Sequence, residues 1–269
     1  MAEESTVTEA AALYERRGNV AVITLNRPRA LNAVNAALST AVGTLLEQAE
    51  ADEEVRVVVL TGAGRAFCAG ADLKALATGE SLAAEGHPEW GFAGYAQHWI
   101  SKPTIAAVNG FALGGGTELV LASDLAVVDE DAELGLPEVK RGLFAAAGGV
   151  IRLQQQIPRK IALEIALTGE PISAAQGREL GLVNRVAPAG TALEVALGLA
   201  ETIAANAPLS VRESKAMIHR TAHGDDWEPG GVGGQRRRAA DGLHQRGRQG
   251  RPDRVRAEAA AGLDGSLTL

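Results

Sequence analysis

The apolar positions along this chain switch between two periods. Val20 to Leu25 (VAVITL) is an unbroken, β-branched apolar run closed by Asn26, Arg27 and Pro28, the pattern of a buried strand. From Val34 to Ala51 the spacing becomes helical, with Leu38, Val42, Leu45, Leu46 and Ala49 on one stripe. Val55 to Leu60 (VRVVVL) predicts a second strand, stopped by Thr61, Gly62, Ala63 and Gly64. Ala66 to Leu73 reads as a turn segment, and an irregular stretch follows to about Trp90. Pro103 to Asn109 and Asp124 to Val128 predict the third and fourth strands. Between them, Gly114, Gly115 and Gly116 precede a short helix from Thr117 to Ala122.

Downstream the pattern is helical throughout. Helices are predicted over Gly148 to Gln156, Arg159 to Thr168, Ser173 to Leu180, Ala192 to Asn206 and Pro208 to His219. Ser173 with Gln176 three positions on is a capping-box start, and Pro208 suits a first helical position. Strands alternating with helices, followed by helices alone, imply an α/β core with a helical annex. No repeat of about 20–50 residues is evident.

Composition narrows the possibilities. Aromatic residues make up 3% of the 269 positions, so the core must be built from Ala, Val, Leu and Ile. The net charge of −7 disfavours non-specific nucleic-acid binding, which draws on phosphate neutralisation, and no nucleic-acid partner is expected. A single cysteine, Cys68, excludes an intrachain disulfide. No apolar stretch approaches the roughly 20 residues a bilayer demands. The N-terminal MAEESTVTEAAALYE lacks the basic start and apolar run of a targeting peptide, so a cytoplasmic protein without membrane association is expected.

From about Gly230 the chain turns Gly/Arg/Ala-rich, with no Lys and no Phe, Tyr or Trp. This tail holds eight Arg against four acids, a net of +4 that leaves −11 on the rest of a chain totalling −7. The Lys-poor body suggests a GC-rich gene. GC-rich DNA read out of frame yields Gly, Arg and Ala, so the tail reads first as a shifted reading frame, with a genuine basic arm as the alternative.

Three features carry chemistry. Three glycines before Thr117 allow close backbone approach, and the free N–H groups of the helix start can stabilise developing negative charge; tight strand-to-helix packing is the plainer reading. Small residues around Gly70 in AFCAGADL offer a second amide-bearing turn, and two such turns after buried strands suit an oxyanion hole. Glu118 and Glu138 both lie among apolar neighbours. Two carboxyls on one water can share acid and base roles, against the alternative of a helix cap and a solvated turn residue. His219 and His223 sit four apart, but no third ligand presents itself and no metal site is expected. Cys68 reads as a small buried residue, and Asp72 as a cap or ligand-turn residue.

Five strings in order extend the reading: NRPRALNA (26–33), AFCAGADL (66–73), KPTIAAVNGFALGGGTELVLASDLAV (102–127), LGLPEVKRGLFAAAGGVIRL (134–153) and TGEPISAAQGRELGLVNRV (168–186). Together they resemble the enoyl-CoA hydratase/crotonase family, over about Val20 to Lys215. The resemblance implies an α/β fold, the ClpP/crotonase-like spiral of β-β-α units with a C-terminal helical region. It implies a catalytic core over 1–190, helices over 191–229 for oligomerisation and site cover, and an atypical tail over 230–269. By the same resemblance Ala71 and Gly115 supply the oxyanion-hole amides, and Glu118 and Glu138 are the catalytic glutamates. Arg27, Ala30, Ala69, Gly70, Ala71, Asp72, Leu73, Lys74 and Gly115 bind substrate.

The implied activity is hydration of a trans-2-enoyl-CoA to a 3-hydroxyacyl-CoA, in fatty acid or related acyl-CoA metabolism. The substrate brings its own CoA, so no cofactor is expected, and the implied assembly is a homotrimer or hexamer. Retention of both glutamates favours hydration or dehydration. PEVKRGLFAAAGG also resembles the carnitinyl-CoA dehydratase-like branch, so that reaction, an isomerase, or a non-catalytic CoA- or RNA-binding member are the alternatives. The family's usual Lys-containing, aromatic-bearing end is missing, and the resemblance stops near Trp227.

Overall fold

The computed structural model describes residues 10–221. The tail from Gly230, with its alternative readings, lies outside the described residues, as do Trp227 and His223. The first of two compact units runs to Asn206, and the second begins at Ala207. Within the first unit the strands are β1 (Ala12–Arg17), β2 (Val20–Leu25), β3 (Val57–Gly62), β4 (Ala66–Cys68), β5 (Thr104–Val108), β6 (Phe111–Leu113), β7 (Leu125–Asp129), β8 (Glu133–Gly135), β9 (Ile172–Ser173) and β10 (Arg185–Ala187). Its helices are α1 (Ala36–Ala51), α2 (Leu73–Ala77), α3 (Gly115–Ala122), α4 (Gly149–Gln156), α5 (Arg159–Thr168), α6 (Ala174–Glu179) and α7 (Ala192–Ala204). The second unit contributes α8 (Pro208–Thr221).

Two sheets run through the first unit. The larger has the order β1-β2-β3-β5-β7-β10, and the smaller β4-β6-β8-β9. The successive units β3-β4-α2 and β5-β6-α3 each place one strand in the large sheet, one in the small sheet, then a helix. The next pair, β7 and β8, is followed by a 3-10 turn, Pro137–Arg141. Strands β2, β3, β5, β7 and β10 pair in parallel, as do β4, β6 and β8. This is the expected spiral of β-β-α units, and each turn carries the chain from the end of a small-sheet strand into the segment that builds the site.

The central strands of the large sheet, β2, β3, β5 and β7, are buried on both faces, which explains their continuous apolar runs. Val20, Val22, Val57, Val59, Ile105, Ala107 and Val127 pack with Ala192, Ala196, Ala200 and Ala204 of α7, an alanine stripe at helical spacing. Alternate residues, including Ala21, Ile23, Val58, Leu60, Ala106 and Val128, face the other core with Leu38, Val42 and Leu46 of α1. Lys102, wholly buried, donates from Nζ to the Ala49 and Asp52 carbonyl oxygens at 2.5 and 2.6 Å, at the carbonyl-rich end of α1. At the opposite kind of terminus, buried Asp129 accepts from the Thr191 and Ala192 amides at 3.2 and 2.8 Å, at the start of α7.

Several elements go beyond the sequence pattern. The strand β1, ALYERR, is mostly polar and largely exposed on the sheet edge, so burial imposes little alternation on it. Ala66–Cys68, expected as turn, is strand β4, and the small-sheet strands have only two or three residues each, too few to display a period. The helix expected from Val34 begins at Ala36, because the Asn35 side chain caps it by accepting from the Leu38 amide at 3.0 Å.

Candidate active site

Each half of the site is a turn leaving a small-sheet strand. After β4, the chain pairs at one point with Val34: the Val34 amide donates to the Gly70 oxygen at 2.8 Å and the Asp72 amide to the Val34 oxygen at 2.9 Å. In a parallel bridge of this register Ala71, the paired residue, turns its own N–H the other way. The neighbouring amides are engaged: Ala69 with the Leu31 oxygen at 3.0 Å and Gly70 with Cys68 Sγ at 3.4 Å. Among the described residues the Ala71 N–H has no acceptor.

Asn32 fixes this turn from below. It is fully buried and in the left-handed region, with φ of 56°. Its Nδ2 donates to the Ala63, Ala66 and Phe67 oxygens at 3.0, 2.9 and 3.1 Å, while Oδ1 accepts from the Arg27 amide at 2.9 Å. One side chain therefore ties the NRPRALNA segment to the AFCAGADL turn. Arg27 Nη2 then pairs with Asp72 Oδ2 at 3.0 Å, and Arg27 Nη1 bonds to the Ala33 oxygen. Asp72 Oδ1 caps α2 by accepting from the Lys74 and Ala75 amides. Burial pushes the Asp72 carboxyl up, but the Arg27 guanidinium and the two amides outweigh it and hold it below its ordinary value.

The second turn follows β6. The Gly114 amide donates to the Gly135 oxygen at 2.8 Å, and α3 begins at Gly115, two residues before the sequence pattern indicated. The Gly115 N–H is at the first helical position, has no intrahelical partner, and among the described residues has no other. The two turns meet at glycines. A Cβ on Gly70 (φ 91°) would lie 3.0 Å from the Leu113 oxygen and 3.1 Å from the Gly115 nitrogen, so only glycine allows this approach. A Cβ on Gly115 would lie 2.3 Å from Cζ of Phe92, whose ring therefore closes over the start of α3.

Glu118 stands on the first turn of α3 and is 4% exposed. Its Oε1 accepts from the Gly149 amide at 2.8 Å. Burial pushes its pKa up to about 6; backbone hydrogen bonding from Gly149 opposes the rise, and the Glu138 charge adds to it. Glu138 lies in the 3-10 turn after Leu136, and a Cβ on Gly114 would come within 3.0 Å of its Oε1. Its Oε2 is buried and has no hydrogen-bond partner among the described residues, and burial raises its pKa. The two carboxyls are thus held differently: Glu118 receives a donor that favours the charged form, and Glu138 has an oxygen suited to carrying a proton.

Both glutamates open into one cavity of about 980 Å³. Arg27, Ala30, Ala69, Gly70, Ala71, Asp72, Leu73, Lys74 and Gly115, all singled out from the sequence, line it too. The structure adds Phe92, Leu113, Gly114, Leu143, Phe144 and Ala147 to the wall, and the cations Arg29 and Arg141. Phe92 lies just past the irregular stretch, in a segment to which the sequence pattern assigns no element. Ala147 lies in the AAAGG string, where nothing in the sequence marks it as part of a cavity wall. Cys68 is buried with its thiol pushed up to about 12 by burial, so it stays protonated, in keeping with a packing role. Among the described residues no cluster of three or more His, Cys, Asp or Glu is placed to hold a metal.

Comparison with known proteins agrees with this geometry. The model of the enoyl-CoA hydratase/isomerase family matches residues 15–231. The chain is 40% identical over 214 residues to the enoyl-CoA hydratase EchA19 of Mycobacterium tuberculosis, covering 78% of this chain and 80% of that protein. It is similar to a solved carnitinyl-CoA dehydratase from Mycobacterium avium, at 62% identity and a TM-score of 0.77 over 86% of this chain and 91% of that one. It is also similar to a solved enoyl-CoA hydratase from Mycobacterium tuberculosis, at 43% identity and a TM-score of 0.81 over 91% and 98%. With the β-β-α spiral, the paired glutamates and the two glycine turns in view, the family match over most of the chain places it plainly: the chain belongs to the enoyl-CoA hydratase/isomerase family of crotonase-type enzymes.

Proposed function

We propose that the protein adds water across the 2,3 double bond of a trans-2-enoyl-CoA to give the 3-hydroxyacyl-CoA, and runs the reverse dehydration. The observation that carries this reading is a single cavity lined by two carboxyls in different hydrogen-bonding states, beside two turns that each leave one amide, that of Ala71 and that of Gly115, without an acceptor among the described residues. In the proposed reaction the thioester oxygen lies against the Ala71 and Gly115 N–H groups. Negative charge collects on that oxygen as water attacks, and preorganised donors stabilise it there. Glu118, held by Gly149, takes a proton from the water as its oxygen bonds to the β-carbon. Glu138 delivers a proton to the α-carbon. One proton has left Glu138 and one has arrived on Glu118, and a proton exchange between them restores the starting state.

The CoA portion is assigned to the Arg27, Ala30 and Ala69 to Lys74 side of the cavity. There Asp72, braced by Arg27, starts the short helix carrying Leu73 and Lys74. All the groups the reaction calls for are protein amides, carboxyls and water, so CoA enters only as part of the substrate. Exposed Leu143, Phe144, Ile151, Leu163 and Leu167 support self-association, consistent with a homotrimer or hexamer. No helix among the described residues is long and apolar enough to cross a membrane, and a cytoplasmic location is part of the proposal.

A second reading has support in the similarity to a carnitinyl-CoA dehydratase: the same groups would eliminate water from a 3-hydroxyacyl-CoA carrying a quaternary ammonium group. Both are tested by one panel. Short and long trans-2-enoyl-CoA thioesters are followed by loss of the conjugated absorbance, and 3-hydroxyacyl-CoA thioesters with and without the ammonium by its appearance. Turnover of the unsubstituted enoyl-CoA set supports hydration of fatty enoyl-CoA. Turnover confined to the ammonium-bearing substrate supports the second reading, and acyl-CoA binding without turnover of any member contradicts both.

A further inference from the structure

Glu118 accepts its hydrogen bond from Gly149, where an irregular turn runs into α4. Residues 143–147 form no helix or strand, and α4 begins only at Gly149. Gly148 is in the left-handed region with φ of 104°. A Cβ on Gly149 would be 2.8 Å from both Glu118 Oε1 and the Ala145 Cβ, so the amide that meets the carboxylate is pressed directly against it. A turn of this kind, set by two glycines, has many backbone conformations open to it unless something outside the turn selects one.

Arg152, one turn into α4, reaches back to it. Its Nη1 donates to the Ala147 oxygen at 3.0 Å and its Nη2 to the Ala96 oxygen at 2.5 Å. The guanidinium also lies over Gly148, where a Cβ would fall 2.2 Å from Nη1. Ala96 follows the segment that places Phe92 over Gly115. The planar fork of one arginine therefore spans two backbone carbonyls, one in the turn that holds Glu118 and one in the loop that covers the oxyanion turn. The Ala147 carbonyl accepts from Arg152, and two residues on, the Gly149 amide donates to the Glu118 carboxylate, so the arginine grips the turn next to the donor that holds Glu118.

We propose that Arg152 is a positioning residue for Glu118, locking the Ala147 to Gly149 turn so that the Gly149 amide holds the carboxylate in the orientation water attack demands. This rests on the reading of Glu118 as the group that deprotonates water. Arg152 is partly buried and bonds to neutral carbonyls; the negative charge that acts on it is Glu118 itself. The charged groups that act on Glu118 are Glu138 of the 3-10 turn and Arg152 of α4; the strands β4 and β8, which also pack on α3, carry Cys68 and Glu133. Arg152 thus has two separable effects, a geometric one through the fork and an electrostatic one through its charge.

The test compares Arg152→Gln, Arg152→Lys and Glu118→Gln with the parent in the full chain, measuring kcat, KM and the pH profile of kcat on whichever acyl-CoA the parent turns over. Loss of the fork is expected to lower kcat by about 10²-fold in both Arg152 variants, the scale of a catalytic group displaced by an ångström, with KM changed far less. In Arg152→Gln the acid limb of the profile is expected to move to higher pH, because the cation that favours ionised Glu118 is gone; in Arg152→Lys, which keeps the charge, it stays near the parent's position. If Arg152→Gln fails to fold, the fall in kcat of Arg152→Lys at an unmoved acid limb carries the test. A folded Arg152 variant with lowered Tm but parental kcat and pH profile overturns the proposal and leaves a purely structural residue. Parental activity in Glu118→Gln overturns the reading of Glu118 beneath it, whereas an inactive Glu118→Gln beside unaffected Arg152 variants overturns the positioning role alone.

Discussion

The Gly149 amide donates to Glu118 Oε1 at 2.8 Å, joining the start of α4 to the first turn of α3. That bond favours the carboxylate, and burial opposes it strongly enough to leave the pKa at about 6. A base in this range is ionised near neutral pH and still basic enough to take a proton in the transition state.

The pH dependence follows with a definite sign. Activity requiring ionised Glu118 falls as pH drops through about 6. Stability moves the other way. The folded pKa of Glu118 lies above its ordinary value, so the folded state binds more protons there than the unfolded state, and its contribution is present at low pH and lost as pH rises through about 6. Thermal unfolding of the parent and of Glu118→Gln across pH 4 to 7 checks this: relative to the variant, the parent is expected to lose stability as pH rises through that window.

Gly115 offers a test of the amide separately from its ring contact. Any side chain at 115 meets Phe92, so the substitutions are compared in a Phe92→Ala background. Proline suits a first helical position but lacks the N–H, while alanine keeps it. Gly115→Pro is expected to lower kcat by about 10²–10³ relative to Gly115→Ala there, as loss of one oxyanion donor does. Equal rates would remove the Gly115 amide from the reaction.

The Arg27 and Asp72 pair sets the start of α2 beside the cavity. Asp72→Ala removes the cap and the pair together. It is expected to cost about 0.5–2 kcal/mol of stability, in the range of a lost N-cap. KM is expected to rise with kcat little changed, since Leu73 and Lys74 line the cavity at the end assigned to CoA. Steady-state kinetics with calorimetry separates this from an effect on chemistry.

Lys102 is expected to matter for folding alone. Its Nζ meets two carbonyls at the end of α1 and the residue does not line the cavity. Lys102→Met leaves those carbonyls without that donor, and each buried unsatisfied group costs about 1–3 kcal/mol. A lower Tm at unchanged kcat per folded molecule is the expected result.

The central strands and long helices were legible in the sequence because their burial is regular. Val57 to Leu60 is apolar at every position since both faces of the large sheet are covered, and α7 shows its alanine stripe at helical spacing. The small sheet was not legible, because two or three residues carry no period. Its consequence for the site was readable only through resemblance: which amide of AFCAGADL is left unengaged depends on the single bridge between Val34 and Ala71, a long-range pairing that local pattern does not encode. Glu118 and Glu138 were visible as residue types in apolar surroundings. That one receives the Gly149 amide and the other keeps an unpaired oxygen comes from tertiary contacts. Phe92 and Arg152 act from segments whose own sequence announces no chemistry.

The central claim is that Glu118 and Glu138 act together in adding one water, the first on the water and the second on the α-carbon. The most direct measurement is kcat for hydration of a short trans-2-enoyl-CoA by Glu118→Gln, Glu138→Gln and the double variant. Each single change is expected to lower kcat by about 10²–10⁴, as loss of a general acid or base does. Because the two would serve one event, the double variant is expected to fall little below the slower single. Losses that multiply in the double variant, or a single variant with parental kcat, would contradict the account.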